Sequence, residues 1–348
     1  MENRITAWIL DSGGAGRGAW QGGVIHEFME WARANGCYPQ VSMGASAGGF
    51  AAGDVATGTE RTVMKGWTAW GTPELVRRHP LPSAIKARWP RSRFRETLYA
   101  SIGYVMAETE VDAVFDGNPA KKLLIFTTRV RRRDRRPLRD SDLARLFTKS
   151  LTRKFPRALK YLPAGYVEDP VIFALNLPAE LASEFARPLT RQNYHRVIEA
   201  SCLVPLAMGP PIRPEALVTA SVPRFAGDDC AVFIDGGYAL KMPMAVFAED
   251  SRFARLSEWA AADRTVIFCC DPRGHLWETS SRLRQLESHP SVARAVAETR
   301  LLVIYPDHKV EAGFLCLDNH SVMRTFRRGQ EQGRRLLGRD DVRRFFLG

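Results

Sequence analysis

Short apolar segments alternate with polar and glycine-rich stretches along the whole chain. They predict β-strands at 5–10, 41–43, 121–128, 171–175, 231–234, 265–270 and 301–305. Apolar residues recur at helical spacing in three stretches between or after these strands, 19–31, 194–202 and 321–337. Strands that alternate with helices predict an α/β sheet. The 348 residues suit one domain, which we predict to span 1–348.

The second predicted strand leads into a turn of small residues with a serine at its centre. The segment Gly44-Ala45-Ser46-Ala47-Gly48 fits the G-x-S-x-G pattern of a nucleophile elbow, and a small-residue helix can begin after it. The backbone is crowded in such a turn, and Gly44 and Gly48 provide room and tolerate unusual dihedral angles. An ordinary glycine-rich turn has the same pattern. On this match alone the two interpretations are about equally favoured.

A second glycine-rich turn, Gly13-Gly14-Ala15-Gly16-Arg17-Gly18, follows the first predicted strand and precedes the first predicted helix. Backbone N–H groups in such a turn converge on an anion. One candidate anion is a nucleotide phosphate, but a G-x-G-x-x-G frame would need glycine at position 15, and the Gly-Lys-Ser/Thr of a P-loop is absent. The other candidate is the oxyanion of a tetrahedral acyl intermediate, which explains why a serine turn follows so soon.

The predicted strand 231–234 ends in Asp235-Gly236-Gly237. An aspartate at the end of a strand, followed by two glycines, can lie close to another backbone and accept the proton of Ser46 directly. Aspartate is ordinarily a weak base with a pKa near ~3.9, so it must be partly desolvated and within hydrogen-bond reach of the serine. Taken alone, Asp-Gly is more simply a β-turn. With the other two motifs present, we favour catalysis.

The three motifs together resemble those of the patatin-like phospholipases, a family that includes the cytosolic phospholipase A group. The family has a G-G-G-x-R-G turn after its first strand, a G-x-S-x-G elbow and a late D-G-G or D-G-A. This chain has them in that order within residues 5–305, with a family-like Ala-Ser segment, Ala200-Ser201, before the aspartate strand. The resemblance implies an α/β fold with a central, mostly parallel sheet flanked by helices in three layers.

The resemblance also implies a function and a set of site residues. Ser46 and Asp235 would form a catalytic dyad without histidine, and the turn Gly13–Gly18 would form the oxyanion hole. The activity would be hydrolysis of fatty acyl esters, of the phospholipase A or lysophospholipase type, through an acyl-enzyme. Neither a metal ion nor a cofactor is expected for this mechanism.

Two residues depart from the family pattern. The third glycine of the oxyanion turn is Ala15, and Lys241 stands where the family often has asparagine, six residues after the aspartate. A lysine beside Asp235 would favour the ionised carboxylate and make it a weaker base. The alternative function is therefore a catalytically weak or activator-dependent lipid-binding or signalling protein on the same fold. A triad hydrolase with a late histidine, such as His308 or His320, is less favoured because the sequence around neither histidine indicates a catalytic triad.

The charge of the chain predicts acidic partners. Lysine and arginine number 50 against 38 aspartates and glutamates, a net charge of +12. For a lipid hydrolase the natural acidic partner is an anionic membrane, contacted peripherally. Because no nucleic-acid-binding signature is present, we expect no nucleic acid. No apolar run is long enough to span a bilayer, no secretion signal is present and the six cysteines lack metal-ligand spacing, so we expect a cytoplasmic protein with free thiols.

Three further segments are rich in arginine. Residues 59–110 combine arginines and prolines with Trp67, Trp70 and Trp89. This composition suits a cap or lid at a membrane interface, and the alternative is a surface region whose tryptophans pack inward. Residues 321–348 predict a basic, amphipathic C-terminal helix that packs on the sheet, with contact to a membrane surface as the less favoured alternative. The cluster 131–136 is best interpreted as a solvated hairpin or loop, with an anionic-lipid patch or a nucleic-acid contact as the alternatives.

Overall fold

A computed structural model of the protein describes residues 5–11, 14–80, 93–139, 141–142, 165–204, 210–219, 222, 224–237, 251–270, 300–313 and 316–348. The strands are β1 (Thr6–Leu10), β2 (Val41–Ala45), β3 (Lys122–Arg132), β4 (Tyr166–Ala174), β5 (Ala186–Pro188), β6 (Ala231–Ile234), β7 (Arg264–Phe268) and β8 (Leu301–Ile304). The helices are α1 (Gly14–Ala34), α2 (Ala47–Thr57), α3 (Glu60–Ala69), α4 (Pro73–Arg78), α5 (Arg93–Val105), α6 (Glu108–Val114), α7 (Tyr194–Cys202), α8 (Ala254–Trp259), α9 (Asn319–Leu337) and α10 (Asp340–Leu347).

The strands of the described residues form a single sheet. Seven of them run in the order β5-β4-β3-β2-β1-β7-β8, and β6 pairs with β3. The pairs β1–β2, β1–β7, β2–β3, β4–β5 and β7–β8 are parallel, whereas β3–β4 and β3–β6 are antiparallel. The prediction of a mostly parallel central sheet is therefore confirmed.

Both faces of the central strands β1 and β2 are buried, which explains why these strands are largely apolar. In β1, Trp8 and Leu10 pack in the larger core cluster with α1, α2 and α9. Ala7 and Ile9 alternate with them and pack on the opposite face, in a cluster that includes Leu256 of α8. The sheet thus lies between two helical layers, as the α/β prediction required.

The basic C-terminal segment differs from its prediction in two ways. It forms two helices instead of one, since α9 ends at Leu337 and α10 begins at Asp340. Asp318 caps the start of α9, where its carboxylate accepts a hydrogen bond from the Ser321 N–H (3.0 Å). It also packs on α1 rather than directly on the sheet. A glycine on α1 allows this close approach, since a Cβ at Gly23 would lie under 3.0 Å from the carbonyl oxygen of Phe326.

Two tryptophans of the predicted cap region lie in the core. Trp67 and Trp70 are each 6% exposed, and the indole N–H of Trp70 donates a hydrogen bond to the carbonyl oxygen of Cys316 (3.0 Å). Inward packing is therefore confirmed for these two residues. Trp89 lies outside the described residues, and a cap or lid formed by 59–110 stays a prediction.

The arginine cluster at 131–136 lies at the end of β3. Arg131 and Arg132 are strand residues, and Arg132 donates a hydrogen bond to Asp134 in the turn that follows (2.7 Å). Residues 133–136 are exposed. The interpretation as a solvated loop is confirmed for these residues.

Candidate active site

Two strands meet end to end along one edge of β3. β2 runs parallel to β3 and stops opposite Phe126, whereas β6 runs antiparallel to β3 and stops opposite Thr128. Because β4 occupies the other edge of β3 along this length, β2 and β6 share one edge and point towards each other. The next residue after β2 is Ser46, and the next after β6 is Asp235. The sheet register therefore brings together two residues that are far apart in the chain.

A close backbone contact joins the two strand ends at the aspartate turn. A Cβ at Gly236 would lie 3.1 Å from the Cβ of Ala45 and under 3.0 Å from the carbonyl oxygen of Phe126. Any side chain at this position would push the turn away from β2 and β3. The aspartate turn thus lies against another backbone, as the two glycines after Asp235 suggested.

Asp235 is oriented by several hydrogen bonds. Its Oδ1 accepts one from the Gly237 N–H (2.8 Å). Its own N–H donates to the carbonyl oxygen of Leu203 (3.0 Å), and its carbonyl accepts from Thr128 Oγ1 (2.8 Å). Asp235 is only 4% exposed, so the carboxylate is largely withdrawn from water, as an aspartate acting as a base requires. Burial, and secondly the charge of Asp235, raises the pKa of the Cys202 thiol, which is therefore neutral.

Ser46 has the strained backbone of a nucleophile elbow. Its φ of 57° and ψ of −130° lie in a region that L-residues rarely adopt. A Cβ at Gly44 would overlap the carbonyl oxygen of Gly48, and one at Gly48 would overlap that of Leu10, which explains why both positions are glycine. Ser46 is the N-cap of α2, yet its hydroxyl makes no capping hydrogen bond. The hydroxyl is therefore not used to hold the end of the helix.

The predicted glycine loop is in fact the first turn of α1. The helix begins at Gly14, whose φ of 68° favours glycine, and Gly16 is buried in the same turn. A Cβ at Gly18 would lie 3.0 Å from the Cβ of Ala47, so the first turns of α1 and α2 are in contact. Gly13 lies outside the described residues.

Two helix N-termini therefore lie side by side next to Ser46. The first N–H groups of each helix have no intrahelical acceptor and form the positive end of the helix dipole. On α1 these are the N–H groups of residues 14–16, the predicted oxyanion donors. Arg17 is half-buried in the same turn. It lies close enough to Cys270 to lower the pKa of that thiol, which burial and secondly Asp11 raise.

A family model described as patatin-like phospholipase matches residues 9–248. The chain belongs to this family. Members are lipid acyl hydrolases, and the matched range contains the glycine turn, the elbow and the aspartate turn. It ends before β7, whereas the sequence motifs suggested a resemblance that continues to 305. No curated protein sequence matches this patatin-like phospholipase.

The end of α7 contacts the candidate site of this patatin-like phospholipase, although the sequence assigned it no role. The Ser46 N–H donates a hydrogen bond to the hydroxyl of Ser201 (3.0 Å). The Cys202 thiol donates to the carbonyl oxygen of Ser46 (3.1 Å). The Ala-Ser segment before the aspartate strand was the available signal, but no spacing rule relates it to the elbow.

Lys241 lies outside the described residues, so its effect on Asp235 stays a prediction.

The two histidines considered for a triad have other surroundings. His308 Nδ1 is 2.6 Å from a carboxylate oxygen of Asp307, and His320 is exposed near the start of α9. In the part of the chain that the structure describes, neither histidine is hydrogen-bonded to Ser46.

One group of side chains on α1 has the composition of a metal site. Candidate ligand atoms of His26, Glu27 and Glu30 lie within 4.8 Å of one another. However, Glu27 pairs with Arg334 of α9 (3.1 Å), and His26 lies 3.4 Å from the side-chain amide of Gln330 on the same helix. These contacts account for the group as part of the packing between α1 and α9.

Proposed function

We propose that this patatin-like phospholipase hydrolyses fatty acyl esters of phospholipids or lysophospholipids, with Ser46 as the nucleophile and Asp235 as the general base. The observation that carries the proposal is the end-to-end meeting of β2 and β6 along β3. A strained serine at one strand end and a buried aspartate at the other are the two groups that acyl transfer without histidine needs.

In the first half of the reaction, Asp235 accepts the hydroxyl proton of Ser46 as Oγ attacks the acyl carbonyl carbon. The carbonyl oxygen becomes an oxyanion, which the N–H groups of residues 14–16 and the N-termini of α1 and α2 stabilise. When the tetrahedral intermediate collapses, the bond to the leaving alcohol breaks. Asp235 returns its proton to that alcohol, and the acyl group stays on Ser46.

In the second half, water replaces the alcohol. Asp235 takes a proton from the water as the water oxygen attacks the carbonyl carbon of the acyl-enzyme. The same N–H groups stabilise the second oxyanion. The bond to Ser46 Oγ then breaks, Oγ regains the proton from Asp235, and the fatty acid leaves. One carboxylate therefore acts as base and then as acid in each half-reaction.

The test is release of fatty acid from mixed anionic phospholipid vesicles, together with hydrolysis of a short-chain soluble ester. The native protein is compared with Ser46→Ala and Asp235→Asn. We expect both variants to lose at least about 10³-fold in kcat. Ser42→Ala is the matched control, because Ser42 is a buried serine within β2, four residues before Ser46, and donates to the Ala52 carbonyl (3.1 Å).

Activity retained in Ser46→Ala would refute the proposal. If the native protein releases no fatty acid, labelling with a fluorophosphonate separates two explanations. Labelling that Ser46→Ala abolishes would indicate an enzyme that awaits an activator. No labelling at all would indicate a lipid-binding protein on the same fold.

We also propose that the protein meets its substrate peripherally at an anionic membrane surface. None of the described helices is long and apolar enough to cross a bilayer. Support comes from α9 and α10, where Arg327, Arg343 and Arg344 are exposed and form no ion pair with any described residue. Leu347, which lies beside Arg343 and Arg344 on α10, is 50% exposed. A basic side chain near an anionic surface contributes about 1 kcal/mol to binding.

A further inference from the structure

The end of α7 binds both halves of the proposed dyad. The hydroxyl of Ser201 accepts a hydrogen bond from the Ser46 N–H (3.0 Å). The backbone carbonyl oxygen of Ser201 accepts one from the Gly236 N–H (3.0 Å). Two residues later, the carbonyl oxygen of Leu203 accepts from the Asp235 N–H (3.0 Å). One short stretch of backbone therefore contacts the elbow and the aspartate turn together.

The Ser201 hydroxyl is used as acceptor and donor at once. While accepting from Ser46, it donates to the carbonyl oxygen of Phe126 (2.7 Å). Phe126 is the β3 residue opposite the end of β2, so the hydroxyl links α7, the elbow and the central strand. Ser201 has no exposed surface. Water is therefore unable to replace the hydroxyl, and alanine would leave the buried Ser46 N–H without this acceptor and would remove one hydrogen bond from the Phe126 carbonyl.

The strained backbone of Ser46 depends on such contacts. A residue keeps an unfavourable φ only when its surroundings bind it from several sides. Here the N–H of Ser46 is bound by Ser201, and its carbonyl by the Phe50 N–H (3.1 Å) and the Cys202 thiol (3.1 Å). Among the described residues, this N–H donates a hydrogen bond to Ser201 alone. Removing it would let the elbow relax.

We propose that Ser201 is a positioning residue that sets the geometry between Ser46 and Asp235. The inference rests on the proposed function, since it concerns the distance over which Asp235 takes the Ser46 proton. Proton transfer requires heavy atoms about 2.6–3.2 Å apart. A displacement of about 1 Å reduces the rate about 10²-fold. Ser201 does not touch the substrate in this mechanism, so its loss should lower kcat and leave KM nearly unchanged.

The experiment compares Ser201→Ala, Ser201→Cys and Ser42→Ala with the native protein. Soluble-ester kinetics give kcat and KM, fluorophosphonate labelling gives the reactivity of Ser46, and hydrogen–deuterium exchange reports on the segments 44–50 and 231–237. We expect Ser201→Ala to lower kcat and the labelling rate about 10–100-fold with KM within about twofold. Ser201→Cys should lie between it and native, because a thiol is a weak donor and acceptor.

Exchange should become faster in both segments of Ser201→Ala, whereas Ser42→Ala should leave 231–237 unchanged. The inference is overturned if Ser42→Ala lowers kcat as much, if the loss lies in KM, or if faster exchange is confined to 44–50. If Ser201→Ala does not fold, Ser201→Cys tests the inference instead. A kcat and a labelling rate below those of the native protein, with KM unchanged, would support it, and native values would overturn it. A native protein that neither hydrolyses esters nor reacts with the fluorophosphonate would refute the proposed function, and the exchange data would still decide whether Ser201 couples the two segments.

Discussion

Gly16, in the first turn of α1, lies so close to the carbonyl oxygen of Gly313 that a Cβ at position 16 would be under 3.0 Å from it. Gly313 precedes α9 and lies beyond the range 9–248 that matches the family model. The chain after the matched range therefore packs directly against the predicted oxyanion turn. The packing there allows no larger residue at position 16.

This contact predicts different effects for its two glycines. Gly16→Ala should displace the first turn of α1 from the segment before α9, with a loss of about 1–3 kcal/mol in unfolding free energy and a lower labelling rate at Ser46. Gly313→Ala is the matched control, since a Cβ at position 313 would meet nothing within 4 Å. Thermal unfolding and fluorophosphonate labelling measure both effects. Equal behaviour of the two variants would contradict the prediction.

The packing of α9 on α1 predicts a second effect of a single methyl group. A Cβ at Gly329 would lie under 3.0 Å from the carbonyl oxygen of Trp20, and two helix backbones have little room to separate. Gly329→Ala should therefore lower the unfolding free energy in urea by about 1–3 kcal/mol. Gly103→Ala in α5 should be neutral or stabilising by up to about 1 kcal/mol, since its Cβ would meet His79 at an ordinary 3.5 Å.

If Gly329→Ala were as stable as Gly103→Ala, close backbone contact would not hold α9 in place.

Glu168 predicts a pH dependence of stability. Burial, and secondly the charge of Asp169, raises the pKa of Glu168 from 4.5 to about 7. In the unfolded chain the carboxyl ionises at the lower value, so folding takes up a proton between these two pH values. The contribution is fully present below about pH 4.5 and is lost as the pH rises to about 7, by up to about 3 kcal/mol.

Glu168→Gln should remove this loss. We expect its urea midpoint to fall less than that of the native protein as the pH rises from about 4.5 to about 7. Glu74→Gln is the control, because the side chain of Glu74 is 60% exposed. An unchanged pH slope in Glu168→Gln would mean that another buried group causes it.

The exposed arginines of α9 and α10 predict where the protein meets a membrane. Reversing the charge of Arg327, Arg343 and Arg344 to glutamate should weaken binding to anionic vesicles by at least about 10²-fold, because each arginine contributes about 1 kcal/mol. Hydrolysis of a soluble ester should not change. The matched variant reverses three exposed arginines of the 133–136 turn, Arg133, Arg135 and Arg136. Vesicle co-sedimentation measures both.

Weaker binding in the 133–136 variant alone would move the membrane contact to the end of β3.

The local features of this protein followed from its sequence. Each predicted strand and helix overlaps an observed one, because buried strands are rich in apolar residues and helices repeat their apolar residues every three or four positions, whereas β5, α3–α6 and α8 were not predicted. The need for glycine at positions 44 and 48 was also readable, since a crowded turn excludes side chains. The family followed from the order of three short motifs and agrees with the model match over 9–248.

Tertiary structure decided how distant segments meet. The sequence did not indicate that β6 lies antiparallel on the same edge of β3 as β2, because strand pairing depends on contacts across the whole sheet. The bond from Ser46 to Ser201 was not predicted either, because no spacing rule relates the Ala-Ser segment to the elbow. The C-terminal helices were expected on the sheet but lie on α1, where the glycines of the two helices allow their backbones to touch. Periodicity shows which face of a helix is buried, but it does not show which surface will bury it.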